Sequence, residues 1–211
     1  MAGGRIGLWY RASPAPTGPK RIATSIRRSG STGSGPISPS DRQVPLGGLP
    51  RVAEIQLDYA PAAHKLLVSV ANGDGGEFAH YVVDQSGAVH QVTRFADGVE
   101  WAGFGPDQGL YLVSERETPK RRIIKLAPGD VDLARARAVV PPGGEVIATD
   151  FWGEDPLVFV GRTMAVRYLS GGPSRLRMFD LDGRARGEGG AAAGRVGLRN
   201  GGGRRRSRLQ R

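Results

Sequence analysis

A serine nucleophile of the hydrolase type sits on a strained turn that lifts its hydroxyl clear of the backbone, written G-x-S-x-G. Gly172-Pro173-Ser174-Arg175-Leu176 begins that pattern but has leucine where the second glycine belongs. Ser31, Ser34, Ser69, Ser86, Ser114 and Ser170 also fail it. The chain has no cysteine, which removes thiolate nucleophiles, thiolate metal sites and disulfides together. Asp97, Glu100 and Asp107 could serve as paired carboxylates for acid–base work, although solvated turn acids are the plainer reading. His80 and His90 flank a predicted hairpin and could share a face. A metal would need a third ligand that cannot be named, so both read as loop histidines. Asn72-Gly73-Asp74-Gly75-Gly76 lacks the spaced oxygens and distal glutamate of a calcium loop and reads as a hairpin turn. Gly143-Gly144 precedes a strand rather than a helix, so it is no phosphate cradle. Trp101, Phe104, Phe151 and Trp152 could form a recognition surface, but packing between sheets is favoured. Lys120-Arg121-Arg122 could grip a peptide carboxylate, against a solvated hairpin. No catalytic, cofactor-binding or metal-ligating residue is assigned, and no cofactor is expected.

The charge points to a nucleic-acid partner until it is located. There are 30 Lys and Arg against 20 Asp and Glu, a net +10. Residues 1–50 hold seven basic residues and one acid, Asp41, while 184–211 hold nine arginines and one acid, Glu188. Residues 51–183 are acidic, with 14 basic and 18 acidic side chains. The two ends are poor in large apolar residues and cannot bury enough surface to offset the entropy of ordering. Both are therefore expected to be disordered: 1–50 as a Ser/Pro/Gly-rich basic segment, 184–211 as a Gly/Arg-rich tail. Arg204-Arg205-Arg206-Ser207-Arg208 would attract polyanions without specificity. That tail has no aromatic side chains for base stacking and no RGG repeat. Composition changes abruptly after Asp182-Gly183, as it would after a lost reading frame in a GC-rich gene.

The elements that must position any site are strands. With 33 glycines and 15 prolines in 211 residues, about twice the usual share, an all-helical bundle is excluded. There is no Gly-X-Y period, which excludes collagen. No apolar run has transmembrane length, and no signal peptide is seen. A cytoplasmic location without a membrane partner is the default expectation. Residues 54–98 and 99–143 align at a 45-residue shift: Tyr59-Ala60-Pro61 falls on Phe104-Gly105-Pro106, and Leu67-Val68-Ser69 on Leu112-Val113-Ser114. A further shift of 45 puts Leu112-Val113 on Leu157-Val158. Each unit reads as four short strands. They are 54–59, 65–70, 77–84 and 89–95 in the first, and 99–104, 110–115, 121–126 and 136–140 in the second. The third gives 146–151, then 157–160 or 165–169, then 175–181. A turn of helix is possible within 131–140. Four strands in about 45 residues make one propeller blade. The expected fold is all-β, a partial β-propeller over 51–183 with two four-stranded antiparallel blades and part of a third.

Two stretches carry a family resemblance. Ser114-Glu115-Arg116-Glu117-Thr118-Pro119-Lys120-Arg121-Arg122-Ile123-Ile124-Lys125-Leu126, followed by Ala138-Val139-Val140-Pro141, resembles the propeller of prolyl oligopeptidase-like serine peptidases. Leu169-Ser170-Gly171-Gly172-Pro173-Ser174-Arg175-Leu176-Arg177-Met178-Phe179-Asp180-Leu181-Asp182-Gly183 resembles a blade hairpin of the same family. The resemblance covers about residues 52–183. It implies a seven-bladed propeller that filters peptides above an α/β-hydrolase domain carrying Ser, Asp and His. No strand–helix alternation for such a domain is written in this chain, so no catalytic residue carries over.

The function expected is therefore the substrate-gating propeller part of a serine-type peptidase, truncated and inactive alone. Its partners would be a peptide substrate or the missing hydrolase domain. The alternative is a stand-alone protein- or peptide-binding module without catalysis.

Overall fold

The computed structural model describes residues 52–151, 153–172 and 174–189. It also describes Leu46, Leu49, Pro50 and the backbone of three earlier strands. Those three are β1 (Arg5–Arg11), β2 (Ala23–Ser29) and β3 (Arg42–Val44), paired antiparallel in the order β1-β2-β3. They lie within 1–50, the segment expected to be disordered. Averaged composition hid a local run, Ile6-Gly7-Leu8-Trp9-Tyr10, whose residue types favour extended chain. Leu8 pairs with Ile26 in the resulting hairpin.

Three further antiparallel sheets follow. The first is β4 (Ala53–Ala60), β5 (Lys65–Asn72), β6 (Phe78–Val83) and β7 (Val89–Thr93), in chain order. The second is β8 (Val99–Phe104), β9 (Leu110–Ser114), β10 (Arg122–Leu126) and β11 (Arg137–Val140), again in chain order. The third joins β12 (Val146–Ile147), β13 (Leu157–Val160), β14 (Thr163–Leu169), β15 (Ser174–Asp180) and β16 (Ala185–Gly189). Among the described residues the helices are short 3-10 turns, and none is long and apolar enough to cross a membrane. The 3-10 turn Leu133–Arg135, capped by Asp132 accepting from the Ala134 N–H at 3.0 Å, stands where a turn of helix was expected before the fourth strand.

Period-two side-chain alternation explains the stacking. Leu110 and Leu112 of β9 face the first of the three sheets with Leu67, Val82, Val92, Ile124 and Leu126. Tyr111 and Val113, the residues between, face the last sheet with Ile123, Val139, Met164, Val166, Tyr168 and Phe179. The middle sheet is thus buried on both faces, which is why β9 reads as an unbroken apolar run. In β14, by contrast, burial alternates, and Leu169 and Leu176 on neighbouring strands remain exposed.

The third sheet corrects the repeat in two places. Its fourth strand, β16, lies beyond Gly183, inside the segment expected to be disordered; residues 190–211 lie outside the described chain. Leu157-Val158, placed by the 45-residue shift on the second strand, sits on β13 instead, in the first-strand position. β12 and β13 both pair with the same edge of β14, Ile147 opposite Tyr168 and Leu157 opposite Val166. They are two halves of one interrupted strand. The excursion between them, residues 148–156, leaves and rejoins at a single residue: the Ala148 N–H donates to the Arg167 carbonyl (2.9 Å), and the Arg167 N–H to the Pro156 carbonyl (2.8 Å).

Candidate functional site

The excursion loop roofs a cavity of about 220 Å³ between the first two of the stacked sheets. Asp58 of β4, Leu67 and Ser69 of β5, Phe78 and His80 of β6, and Glu100 and Trp101 of β8 form its walls, and Asp150, Gly153, Glu154 and Asp155 close it. Two β-bulges aim these side chains. In the β8–β9 ladder the register slips between Val99 and Trp101, leaving Glu100 out of the pairing. A bulge inserts a residue and twists its strand, so adjacent Glu100 and Trp101 both reach the cavity. In the β6–β7 ladder the slip falls between His80 and Tyr81. The His80 backbone N–H there donates to the Thr93 hydroxyl (2.9 Å) instead of a ladder carbonyl.

His80 is fully buried. Its Nδ1 lies 2.7 Å from Thr93 Oγ1, while Nε2 has no partner. Burial drives its pKa from 6.5 to about 3, so the ring is neutral. Partial desolvation at the cavity wall, and then the neighbouring Asp155 charge, push the Asp58 carboxyl up although its side chain keeps solvent contact. Glu100 accepts from Arg121 Nε at 2.8 Å and from the Thr149 hydroxyl. Burial would raise Glu100, but bonds from Glu115, Thr149 and Arg121 outweigh it and hold Glu100 low; Glu115, bonded to Glu100, is pushed up. Arg167 neutralises two roof acids, with Asp150 at 2.6 Å and Glu154 at 3.4 Å. Asp155 accepts the Trp101 indole N–H at 3.0 Å.

The sequence candidates separate. Glu100 enters the cavity. Asp97 instead caps a 3-10 turn, accepting the Arg94 N–H at 2.8 Å. Asp107 pairs with Lys125 Nζ at 2.5 Å. His80 and His90 both lie on strands, which corrects the loop reading. His80 is held by Thr93, and His90 lies 3.5 Å from Asp84. Among the described residues no three His, Asp or Glu side chains gather as a metal site. Residues 73–75 form a 3-10 turn between β5 and β6, as a hairpin turn should. Lys120 donates to the Gly144 carbonyl (2.9 Å), Arg121 to Glu100 and Ile147, and Arg122 to Glu117 (2.6 Å). That basic run is therefore committed to local structure. Gly143-Gly144 links β11 to β12 and precedes no helix. Trp101 and Phe104 pack against the inter-sheet clusters, Phe151 is exposed against Phe78 (centroids 5.6 Å apart), and Trp152 lies outside the described residues. Sequence reading missed Asp58, Asp150, Glu154 and Asp155. The available signal was the acidic text Asp150-Phe151-Trp152-Gly153-Glu154-Asp155 interrupting strand-like sequence.

Ser69 and His80 are direct cross-strand neighbours in the cavity wall. No hydrogen bond joins the serine to His80 Nε2, and a hydroxyl rather than a carboxylate holds Nδ1. A nucleophile needs a base in contact and an oriented third group; these two side chains do not provide that arrangement.

An unclosed stack of twisted four-stranded antiparallel sheets defines the class as propeller-like. Solved structures with a similar fold include peptidases. A prolyl endopeptidase, one of two analysed for inter-domain dynamics in catalysis and specificity, matches with TM-score 0.65 and 18% identity over 88% of this chain and 26% of its own. Apo prolyl oligopeptidase B from Galerina marginata matches at 0.61 and 12% identity, over 88% and 25%. Dipeptidyl peptidase 4 from Porphyromonas gingivalis matches at 0.51 and 17% identity, over 80% and 23%. The chain spans about a quarter of the length of these proteins. At such identities the likeness is one of fold, that of the propeller region of prolyl oligopeptidase-like peptidases. No protein-family model matches the chain. No curated protein matches its sequence.

Proposed function

We propose that the chain supplies the substrate-gating propeller portion of a prolyl oligopeptidase-like serine peptidase and does not cleave peptides by itself. The fold likeness to a prolyl endopeptidase over 88% of the chain carries this reading. The blade text at 114–126 and 169–183 supports it independently. Acyl transfer needs an activated nucleophile beside oxyanion donors, and a partner hydrolase domain would bring both. The test has two arms. Pure chain is incubated with a prolyl-containing reporter peptide and, in parallel, a serine-directed phosphonate. Turnover above a mock preparation with labelling of a serine here would overturn the non-catalytic half. The genomic sequence downstream is also read in all frames. A G-x-S-x-G hydrolase there supports the gating half, and its absence favours a stand-alone binding module. The acidic cavity is the observation that favours that second reading.

A further inference from the structure

We propose that the cavity between the β4–β7 and β8–β11 sheets binds an organic monocation, an alkylammonium or guanidinium group, between Asp58 and Asp155 and against the Trp101 ring. This goes beyond the peptidase reading and does not depend on it.

Charge is the first argument. The cavity wall includes carboxylates but no lysine or arginine. Arg121 and Arg167 neutralise the other wall acids from outside it. Asp58 and Asp155 are left without a cation among the described residues. Asp155 takes only the Trp101 indole N–H. Asp58 is exposed and accepts no hydrogen bond from a described donor. Two such carboxylates, near enough for one to raise the other's pKa, are relieved by one positive charge between them.

His80 is the second and independent argument. Its side chain is in the cavity wall and fully buried, and Nε2 lacks any partner. Buried polar atoms are almost always bonded, and an exception calls for a missing group. In the tautomer whose Nδ1–H donates to Thr93 Oγ1, Nε2 carries the lone pair that an ammonium or guanidinium N–H would fill. The ring is neutral, so it does not repel that charge. Trp101 is the third argument. Its ring lines the cavity and Asp155 fixes its indole edge, which sets the aromatic ring beside the proposed cation. About 220 Å³ admits a guanidinium and a short alkyl stem. Among the described residues no three-ligand cluster gathers, so the proposed occupant is an organic cation rather than a bare metal ion.

The full chain is titrated with butylguanidinium, butylammonium and the uncharged isostere N-butylurea, following the Trp101 indole N–H resonance, assigned with Trp101→Phe. Gly-Arg-Gly and Gly-citrulline-Gly form a second arm. Saturable binding of the cations, at least tenfold tighter than their neutral isosteres, is expected. Asp58→Asn and Asp155→Asn should each weaken it at least fivefold. The second keeps an acceptor for Trp101. A peptide that binds more tightly than butylguanidinium identifies a side-chain site, and equal affinities identify a small-molecule site. Equal binding of charged and neutral probes overturns the proposal, as does wild-type affinity in Asp58→Asn. Asp58 is exposed and bears no structural bond, so the Asp58→Asn variant remains decisive even if Asp155→Asn fails to fold. Peptidase activity enters none of these readouts, so the two proposals can fail separately.

Discussion

At the scale of single residues, His80 couples folding to pH. The unfolded chain protonates this imidazole below about pH 6.5, whereas the native one resists until about pH 3. A lowered native pKa means stability that is complete above pH 6.5 and lost as pH falls through that window. The slope is at most about 1.4 kcal/mol per pH unit. Urea unfolding at pH 7, 6 and 5 should show this decline in the wild type and a flatter profile in His80→Gln. Equal slopes would mean the ring is not buried neutral. A second buried polar group works oppositely, by charge pairing. Lys125 Nζ, itself buried, reaches Asp107 Oδ2 at 2.5 Å and the Leu181 carbonyl at 3.1 Å, and the Tyr111 hydroxyl donates to the same carbonyl at 3.0 Å. Burial would raise the Asp107 pKa, but Lys125 and the Gly109 and Tyr111 donors outweigh it and hold the carboxyl low. Its contribution is present above about pH 4 and lost as pH drops through the depressed value. Asp107→Asn strands a buried ammonium and should cost about 3 kcal/mol. Adding Lys125→Met should recover most of that in thermal melts. No recovery would show that the cost lies elsewhere.

At the scale of elements, a turn locks the last two sheets together. Gly183 has φ +85°, and a Cβ there would overlap the Val139 carbonyl of β11. Gly183→Ala should therefore cost about 2 kcal/mol or more, through left-handed strain and the clash combined. A cost below about 0.5 kcal/mol in urea titration would mean that β11 does not approach the turn. The middle sheet gives a matching test. Leu112 is fully buried between two sheets, and Leu112→Ala should cost about 2–5 kcal/mol. Exposed Leu176 on the outer face of the last sheet should tolerate the same change within about 1 kcal/mol. Similar costs for both would contradict one-sided burial of that sheet. The bulges at Val99–Trp101 and His80–Tyr81 and the excursion at 148–156 are the three departures from regular pairing that build the cavity, and none follows from strand propensity.

At the scale of the whole molecule, charge is segregated. Most of the basic excess lies in 1–50 and 184–211, around an acidic middle. We propose that any polyanion attraction is electrostatic and lies in these ends. Retention on a nucleic-acid column should fall steeply with salt, show no sequence preference and weaken on deleting 190–211, which spares β16. Sequence-selective retention that survives the deletion would mean a built nucleic-acid site. The stacked sheets meanwhile leave Leu169 and Leu176 of the last sheet exposed, which is consistent with a chain that spans about a quarter of the length of the proteins sharing its fold.

Strands and turns were legible in the sequence because their causes are local. Period-two alternation, β-branched and aromatic residues, and Gly- or Pro-bearing turns placed β4–β11 within a residue or two. The unbroken run Leu110-Tyr111-Leu112-Val113 marked a strand, but its burial on both faces is read from the stacked sheets. Two things were not legible. The 45-residue shift could not distinguish β13 from β14, because an insertion inside a strand preserves hydrophobic text while moving its phase. The cavity joins Asp58, His80, Glu100 and Asp155, which are far apart in sequence, and each alone reads as a turn acid or a loop histidine. Only tertiary structure gathers them, because their meeting depends on sheet stacking, two register slips and one clamped loop. None of these is encoded by the residues that they bring together.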